Sequence, residues 1–335
     1  MKLVMRIVAL SILLVSISEY ARAQEHVIRL GTVAPEGSVW YNVLAKMKLD
    51  MEKASKGSVS VRIYHSGRQG DESEMVRSVR QGTTLNAVAL SGAGLSMVDP
   101  SINALHIPML IDSYEQLDHV RKQLEPRLER AIESKGFVVL NWSDVGWVQF
   151  FSKTPARTPD DIRKLRLFTS TGDPDTEQIY KELGFRPVPT GADEIQTALQ
   201  TNRIEAFDAP PILALVNQSF GIARSMIDMK WSPLVGATLI SRASWEKIPE
   251  PLRTELLRIA RKAGDDLRVQ IRSGGDEAVK QMAKRGLNVV TLTSAEMALW
   301  RKEAETAYPK IRGKLVPADL FDEAVKLSRE YKPSR

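Results

Sequence analysis

Short runs of β-branched and apolar residues alternate with stretches of helical period along most of this chain, and that alternation admits few folds. Residues 26–33 alternate like a half-buried strand, and Pro35, Glu36, Gly37 and Ser38 break it. Trp40, Val43, Leu44, Met47 and Met51 then keep helical spacing, with Ser38 as the cap and Gly57 suited to the left-handed residue that stops the helix. Residues 59–64 read as the next strand, residues 72–81 as a helix closed by Gly82, and residues 86–90 as a short apolar strand. Strand, helix, strand, helix, strand is the order of an α/β unit built on a mainly parallel sheet. In such sheets ligands lie beyond the carboxyl ends of the strands, close to helix starts. Residues 35–40 stand at such a place, where their N–H groups either face a ligand or simply begin a helix.

The pattern then repeats. A second α/β run begins with the strand at residues 137–142 and continues through a strand at 165–169, a helix at 175–183 and an amphipathic helix at 195–200. Residues 235–241 form a further strand and residues 249–284 a long helical region. Its apolar face is Leu252, Leu256, Ile259, Ala263, Leu267 and Ile271, and Gly264, Gly274 and Gly275 are weak points for a bend. Residues 294–331 read as helices through Met297, Leu299 and Trp300, then Leu320, Phe321, Val325 and Leu327; they pack on a lobe or, as the alternative, pair two copies of the chain. The expected division is a signal peptide at 1–23, a first lobe at 24–145 and a second at 146–232. A return to the first lobe with the linking helix follows at 233–270, then second-lobe chain at 271–305 and C-terminal helices at 306–335. Two α/β lobes joined by more than one crossing make a clam-shell binding protein, an outline that two-domain enzymes share.

Composition removes several classes. There is no cysteine, so a lipoprotein anchor, a disulfide framework and a thiol nucleophile are excluded and stability must come from packing. Lys2 and Arg6, an apolar stretch at 7–17 and Ala21-Arg22-Ala23 read as a secretory signal, since the stretch falls short of the roughly 20 residues that cross a bilayer. Cleavage before Gln24 places the mature chain in the periplasm. The net charge of +6 is mild, and acids such as Glu255, Asp265 and Asp266 interleave the bases between Arg253 and Arg272, so nucleic acid is not an expected partner. The four histidines lack the spacing of a metal site, and no nucleophile elbow, phosphate loop or dinucleotide turn is present; no enzyme activity, metal or cofactor is expected. Ser91-Gly92-Ala93-Gly94 is the nearest thing to a phosphate cradle, without its lysine or its spacing. Asp71, Glu72 and Glu74 open a helix, where acidic residues complement the dipole.

Motif by motif, the mature chain resembles the TRAP-type solute-binding proteins, often called the dicarboxylate-binding family. Gly31-Thr32-Val33-Ala34-Pro35-Glu36-Gly37-Ser38-Val39-Trp40 looks like the family's opening strand and loop, and residues 67–82 like its Gly-rich turn and helix. Residues 100–108, Thr158-Pro159-Asp160-Asp161-Ile162 and Glu194-Ile195-Gln196-Thr197-Ala198-Leu199-Gln200-Thr201 agree as well, the last two together being the specific pair. The resemblance implies a two-lobed periplasmic-binding-protein fold, each lobe a mainly parallel sheet flanked by helices, with a long helix linking them. It also implies a cleft that closes on one small solute, usually a carboxylate, and then docks on an ion-gradient-driven permease.

The family's usual carboxylate contacts are missing. Alignment on Thr158-Pro159-Asp160-Asp161 puts Phe168 at the position of the signature arginine, Val148 at that of a second arginine and Ala209 at that of an asparagine. Trp40, Gly92, Trp147, Phe207 and Trp231 are placed with them at the cleft. Arg68, Arg166 and Lys230 are the candidate charge partners, with a structural surface role as the competing reading of Arg166. The expected ligand therefore carries apolar or aromatic surface with its polar end on backbone N–H groups or one of these cations; the alternative is an ordinary organic acid held by relocated arginines. A binding protein for a membrane sensor, or an exported enzyme on the same plan, are the alternative functions, and a monomer is expected, with a dimer as its alternative.

Overall fold

One strand, β4 (Phe137–Ser152), runs through both halves of the sheet, and its neighbours decide the architecture. The computed structural model describes residues 26–171 and 173–333, so the expected signal peptide and its cleavage site lie outside the described residues. The other strands are β1 (His26–Thr32), β2 (Val59–Tyr64), β3 (Ala87–Ser91), β5 (Arg166–Ser170), β6 (Arg186–Thr190), β7 (Ala206–Ala209), β8 (Ser225–Ile227), β9 (Ser232–Ser241) and β10 (Asn288–Val290). The order is β2-β1-β3-β9-β4-β7-β5-β6, with β8 against β4 and β10 against β8. The pairs β1–β2, β1–β3, β5–β6, β5–β7 and β8–β10 are parallel. All pairs made by β4 and β9 are antiparallel.

The helices are α1 (Val39–Ala54), α2 (Glu72–Gln81), α3 (Gly92–Val98), α4 (Tyr114–Ser134), α5 (Pro159–Arg163), α6 (Pro174–Glu182), α7 (Ile195–Gln200), α8 (Pro211–Val216), α9 (Arg242–Trp245), α10 (Glu250–Lys284), α11 (Ser294–Ile311) and α12 (Ala318–Glu330). Their starts follow the local chemistry. Ser38 accepts from the Tyr41 N–H, Asp71 and Glu74 form a capping box on α2, and Thr158 and Asp161 form one on α5 with Pro159 in its first turn. The Thr-Pro-Asp-Asp motif is thus a helix-start device.

β4 and β9 pair from Phe137↔Ser241 to Val148↔Ser232, with register shifts at Val139/Asn141 and Asp144/Gly146. Together they carry the chain from the first lobe, built on β1 to β3, into the second, built on β5 to β8. The strand expected to end near Trp142 continues, because its polar residues find partners. Asn141 donates to the Ala260 carbonyl of α10 at 3.0 Å. Asp144, 1% exposed, accepts from Arg121 of α4 at 3.1 Å and from Arg272 of α10 at 2.6 Å. Arg272 also forks onto Asp118 at 2.7 Å through both terminal nitrogens and lies 4.5 Å from the centre of the Tyr114 ring. Although burial works against it, these guanidinium contacts hold the Asp118 carboxyl below its usual range. Gly146, at φ +129, supplies a backbone conformation that L side chains rarely adopt.

The 35-residue α10 spans about 50 Å and is not broken at its glycines. Gly264 instead permits close approach, since a Cβ there would collide with the Trp142 carbonyl oxygen. Leu256, Ile259, Ala260, Ala263, Leu267 and Ile271 pack with α1, β1 and β2, while Met282 joins Phe151, Phe207 and Met226 under the second lobe. The C-terminal helices also serve both lobes. Trp300 of α11 stacks 5.1 Å from Phe150, and Gln116 of α4 donates to the Ser328 carbonyl of α12 at 3.0 Å. Among the described residues no helix is long and apolar enough to cross a membrane.

Asp144→Ala leaves the buried Arg121 guanidinium with only the half-exposed Asp118, and is expected to cost about 3–5 kcal/mol of unfolding free energy. Asp118→Ala, which spares the Asp144 contacts, should cost clearly less. Urea denaturation monitored by tryptophan fluorescence checks both, and a loss below about 1 kcal/mol for Asp144→Ala contradicts this reading.

Candidate functional site

The strand ends of the first lobe are laced together by backbone. The Ser66 N–H donates to the Ala34 carbonyl at 2.9 Å and the Gly67 N–H to that of Thr32 at 3.2 Å, which pins the turn after β2 to the loop after β1. Gly67 and Gly70, at φ +69 and +86, let that turn close, and Arg68 stands between them. Beside it, the Glu72 carboxylate accepts from the Ser91 N–H at 2.6 Å, the Ser91 hydroxyl at 2.7 Å and the Gly94 N–H at 3.0 Å. Burial lifts this carboxyl above its usual range while the three hydrogen bonds pull it back. The cradle at residues 91–94 is therefore filled by an internal anion. Gly92 is closed from the other side, since a Cβ there would collide with the His106 ring. Burial pushes His106 down to about 4, and its Nε2 accepts from the Val235 N–H at 3.2 Å, so the ring is neutral and structural.

The second lobe presents a different chemistry. In the β4–β7 ladder Phe150 faces Asp208 and Gln149 faces Ala209. Leu167 of β5 aligns in parallel with Ala206, and Thr169 and Asp208 each stand two residues further along their strands. Burial, with the charge of Asp173 adding to it, pushes the Asp208 carboxyl up to about 6. Burial, with the charges of Asp208 and Asp173, also raises the Tyr180 phenol of α6 well above its ordinary range. Asp173 itself is committed to capping α6 through Thr176. The Thr169 hydroxyl, on a residue 3% exposed, has no hydrogen-bond partner among the described residues.

The residues singled out in the sequence fall in several environments. Phe168 and Ala209 pack with Phe151 and Phe207 on one face of the second lobe. Val148 packs with Phe150 and Trp231 in another cluster. Trp40, on α1, lies in the core cluster that α1 shares with α10. Trp147 lies 5.3 Å from Tyr114, and Trp231 lies 5.5 Å from Phe150 and 5.7 Å from Trp300, so these rings are largely spent on one another. Of the cations, Arg166 donates to the Asn202 carbonyl at 3.0 Å and pairs with Glu205 at 3.3 Å. Lys230 donates to the Asp112 carbonyl at 3.1 Å and sits 5.1 Å from the centre of the Trp147 ring. Arg68 is exposed, and among the described residues its side chain makes no hydrogen bond or ion pair.

Asp208, Tyr180 and Thr169 are not marked in the sequence, because Asp208 and Thr169 are single polar residues of short strands and Tyr180 is one polar residue on a helix. No group of acidic or histidine side chains suited to a metal ion occurs among the described residues. A groove of about 740 Å³ follows the flanks of α1 and α10. Its charges are paired along each helix, as in Lys46–Asp50 and Lys262–Asp266, and offer no convergent set.

Residues 30–314 match the profile of the bacterial extracellular solute-binding proteins, family 7. The 2,3-diketo-L-gulonate-binding periplasmic protein of Escherichia coli K12 is 26% identical over 250 residues, covering 72% of this chain and 74% of that protein. Among solved structures, a TRAP periplasmic solute-binding protein from Ralstonia eutropha H16 with bound (S)-2-acetolactate superposes with a TM-score of 0.83 at 19% identity, covering 91% of this chain and 99% of the other. One from Polaromonas sp. JS666 bound to D-erythronate gives a TM-score of 0.83 at 22% identity, over 92% of this chain and 100% of the other. The fold is therefore the two-lobed one of these proteins.

Proposed function

The chain belongs to the bacterial extracellular solute-binding proteins of family 7, and from that premise we propose that it captures a small organic acid between its lobes and hands it to a TRAP-type permease. The observation that carries this reading is the double crossing of β4 and β9, backed by α10. Two strands paired side by side can flex about a common line while each lobe keeps its own core, which is what hinge closure on a solute requires. Solute that binds the closed arrangement better than the open one shifts the population and presents the permease with a different surface. The organic acids named for the relatives support the solute class. The buried ionic and imidazole groups are consumed by structure, which supports binding without turnover.

The solute lies at the carboxyl ends of β1 to β3 and of β5 and β7, with the segment from Pro35 to Trp40 on one side and Val148, Phe168 and Ala209 on the other. The protein acts in the periplasm after removal of residues 1–23. N-terminal sequencing of the exported protein is expected to begin at Gln24; retention of the first 23 residues contradicts export by this signal.

A thermal-shift screen of small organic acids on refolded, solute-free protein is expected to find at least one that stabilises it strongly, since solute at about 100 times its dissociation constant adds about 2.7 kcal/mol. Calorimetry with the hit should give one site per chain and an unchanged ligand afterwards. A panel of acids that leaves the melting temperature where it was, or a ligand recovered chemically altered, overturns the reading.

A further inference from the structure

The two C-terminal helices make a further crossing between the lobes, beside β4, β9 and α10. α11 is fastened to the second lobe. Arg163 of α5 pairs with Glu303 at 2.6 Å, the Trp300 indole donates to the Arg157 carbonyl at 2.9 Å, and Lys310 reaches Glu182 at the end of α6 at 3.2 Å. α12 is fastened to the first lobe. Arg127 of α4 pairs with both Asp319 and Glu323, the Gln116 amide donates to the Ser328 hydroxyl at 2.9 Å, and that hydroxyl donates to the Leu110 carbonyl at 2.7 Å. Burial holds both ends, through Trp300, Ala304 and Ala307 of α11 and Leu320, Phe321 and Ala324 of α12, while the exposed ion pairs add little. The joint between the helices has no slack. Lys314 pairs with Glu182 of the second lobe at 3.4 Å, and the carbonyl of the next residue, Leu315, accepts from Asn103 of the first at 3.1 Å. The turn is closed on itself, with the Gly313 N–H donating to the Val316 carbonyl at 2.7 Å, Gly313 at φ +82, and Arg312 forked onto Asp322 at 2.7 and 2.6 Å.

Resting on the hinge reading above, we propose that α11, α12 and the joint at residues 312–317 form a strap between the lobes, whose length sets the range of interlobe arrangements open to the solute-free protein. Neither helix can follow its own lobe without pulling on the other, because the anchors to the two lobes stand on adjacent residues, Lys314 and Leu315. A tether of fixed length removes arrangements from the solute-free ensemble. Solute binding then has fewer of them to suppress when the lobes close, so the strap favours binding without touching the solute. Its action is on the hinge alone, and none of its residues lies at the strand ends assigned to the solute.

The test lengthens the strap without cutting either end. Gly-Ser-Gly-Ser inserted between Lys314 and Leu315 gives the joint roughly 10 Å of free reach and leaves each helix on its own lobe. Spin labels on Lys53→Cys of α1 and Gln178→Cys of α6 report the interlobe distance by double electron–electron resonance in refolded, solute-free, full-length mature protein. The distance distribution is expected to be about twofold broader than with the original joint, at an unchanged melting temperature. An unchanged distribution at an unchanged melting temperature overturns the proposal. Where the insertion lowers the melting temperature, the double variant Asn103→Ala with Glu182→Ala frees both sides of the joint by point substitutions. A broader distribution in that variant supports the strap, and one equal to the parent's overturns it. Because the protein is solute-free throughout, failure here leaves the solute-binding reading standing; that reading fails on its own only if no organic acid binds.

Discussion

The structure depends on a carboxylate that would otherwise be forbidden where it is. Asp144 is buried at the point where β4 leaves the first lobe, and an unpaired charge there would cost several kcal/mol. Two guanidinium groups from different helices meet it, Arg121 from α4 and Arg272 from α10. The three elements that must stay together at the junction are thereby joined at one spot. β7 pairs with β4 only from Gln149 onward, so the cluster covers the stretch where β4 has β9 on one side and an open edge on the other. The close approach of α10 to β4 at Gly264 belongs to the same arrangement, with the Asn141 amide donating across it.

Much of this fold was legible in advance, for identifiable reasons. α1 was visible because five apolar residues at helical spacing follow a serine cap, and α10 because its apolar face persists from Leu252 to Ile271, over about five turns. The continuity of β4 was not legible, since Asn141, Ser143 and Asp144 look like the end of a strand until their partners, up to 128 residues away, are known. Gly264 looked like a weak point in a helix and is a packing contact. β8 and β10 went unread because each is three residues long and exists only by pairing.

The site was less legible than the fold. The family resemblance led to the expectation that Val148, Phe168 and Ala209 stand in place of polar contacts; the structure puts the three side chains among apolar neighbours. Which charges remained available was beyond a sequence reading. Arg166 and Lys230 each have a carboxylate or carbonyl in reach, and those partners come from other segments of the chain. Asp208 stands one residue before Ala209, and its raised pKa comes from burial and from Asp173 across the lobe.

A hinge made of two crossing strands implies that the lobes move toward each other when the solute binds. The chain has no cysteine, so Lys53→Cys on α1 and Gln178→Cys on α6 give a clean pair of spin-label sites, one on each lobe. Double electron–electron resonance with a saturating solute should show the interlabel distance distribution shift and narrow relative to the solute-free protein. An identical distribution with and without solute, at occupancy confirmed by calorimetry, would contradict the account.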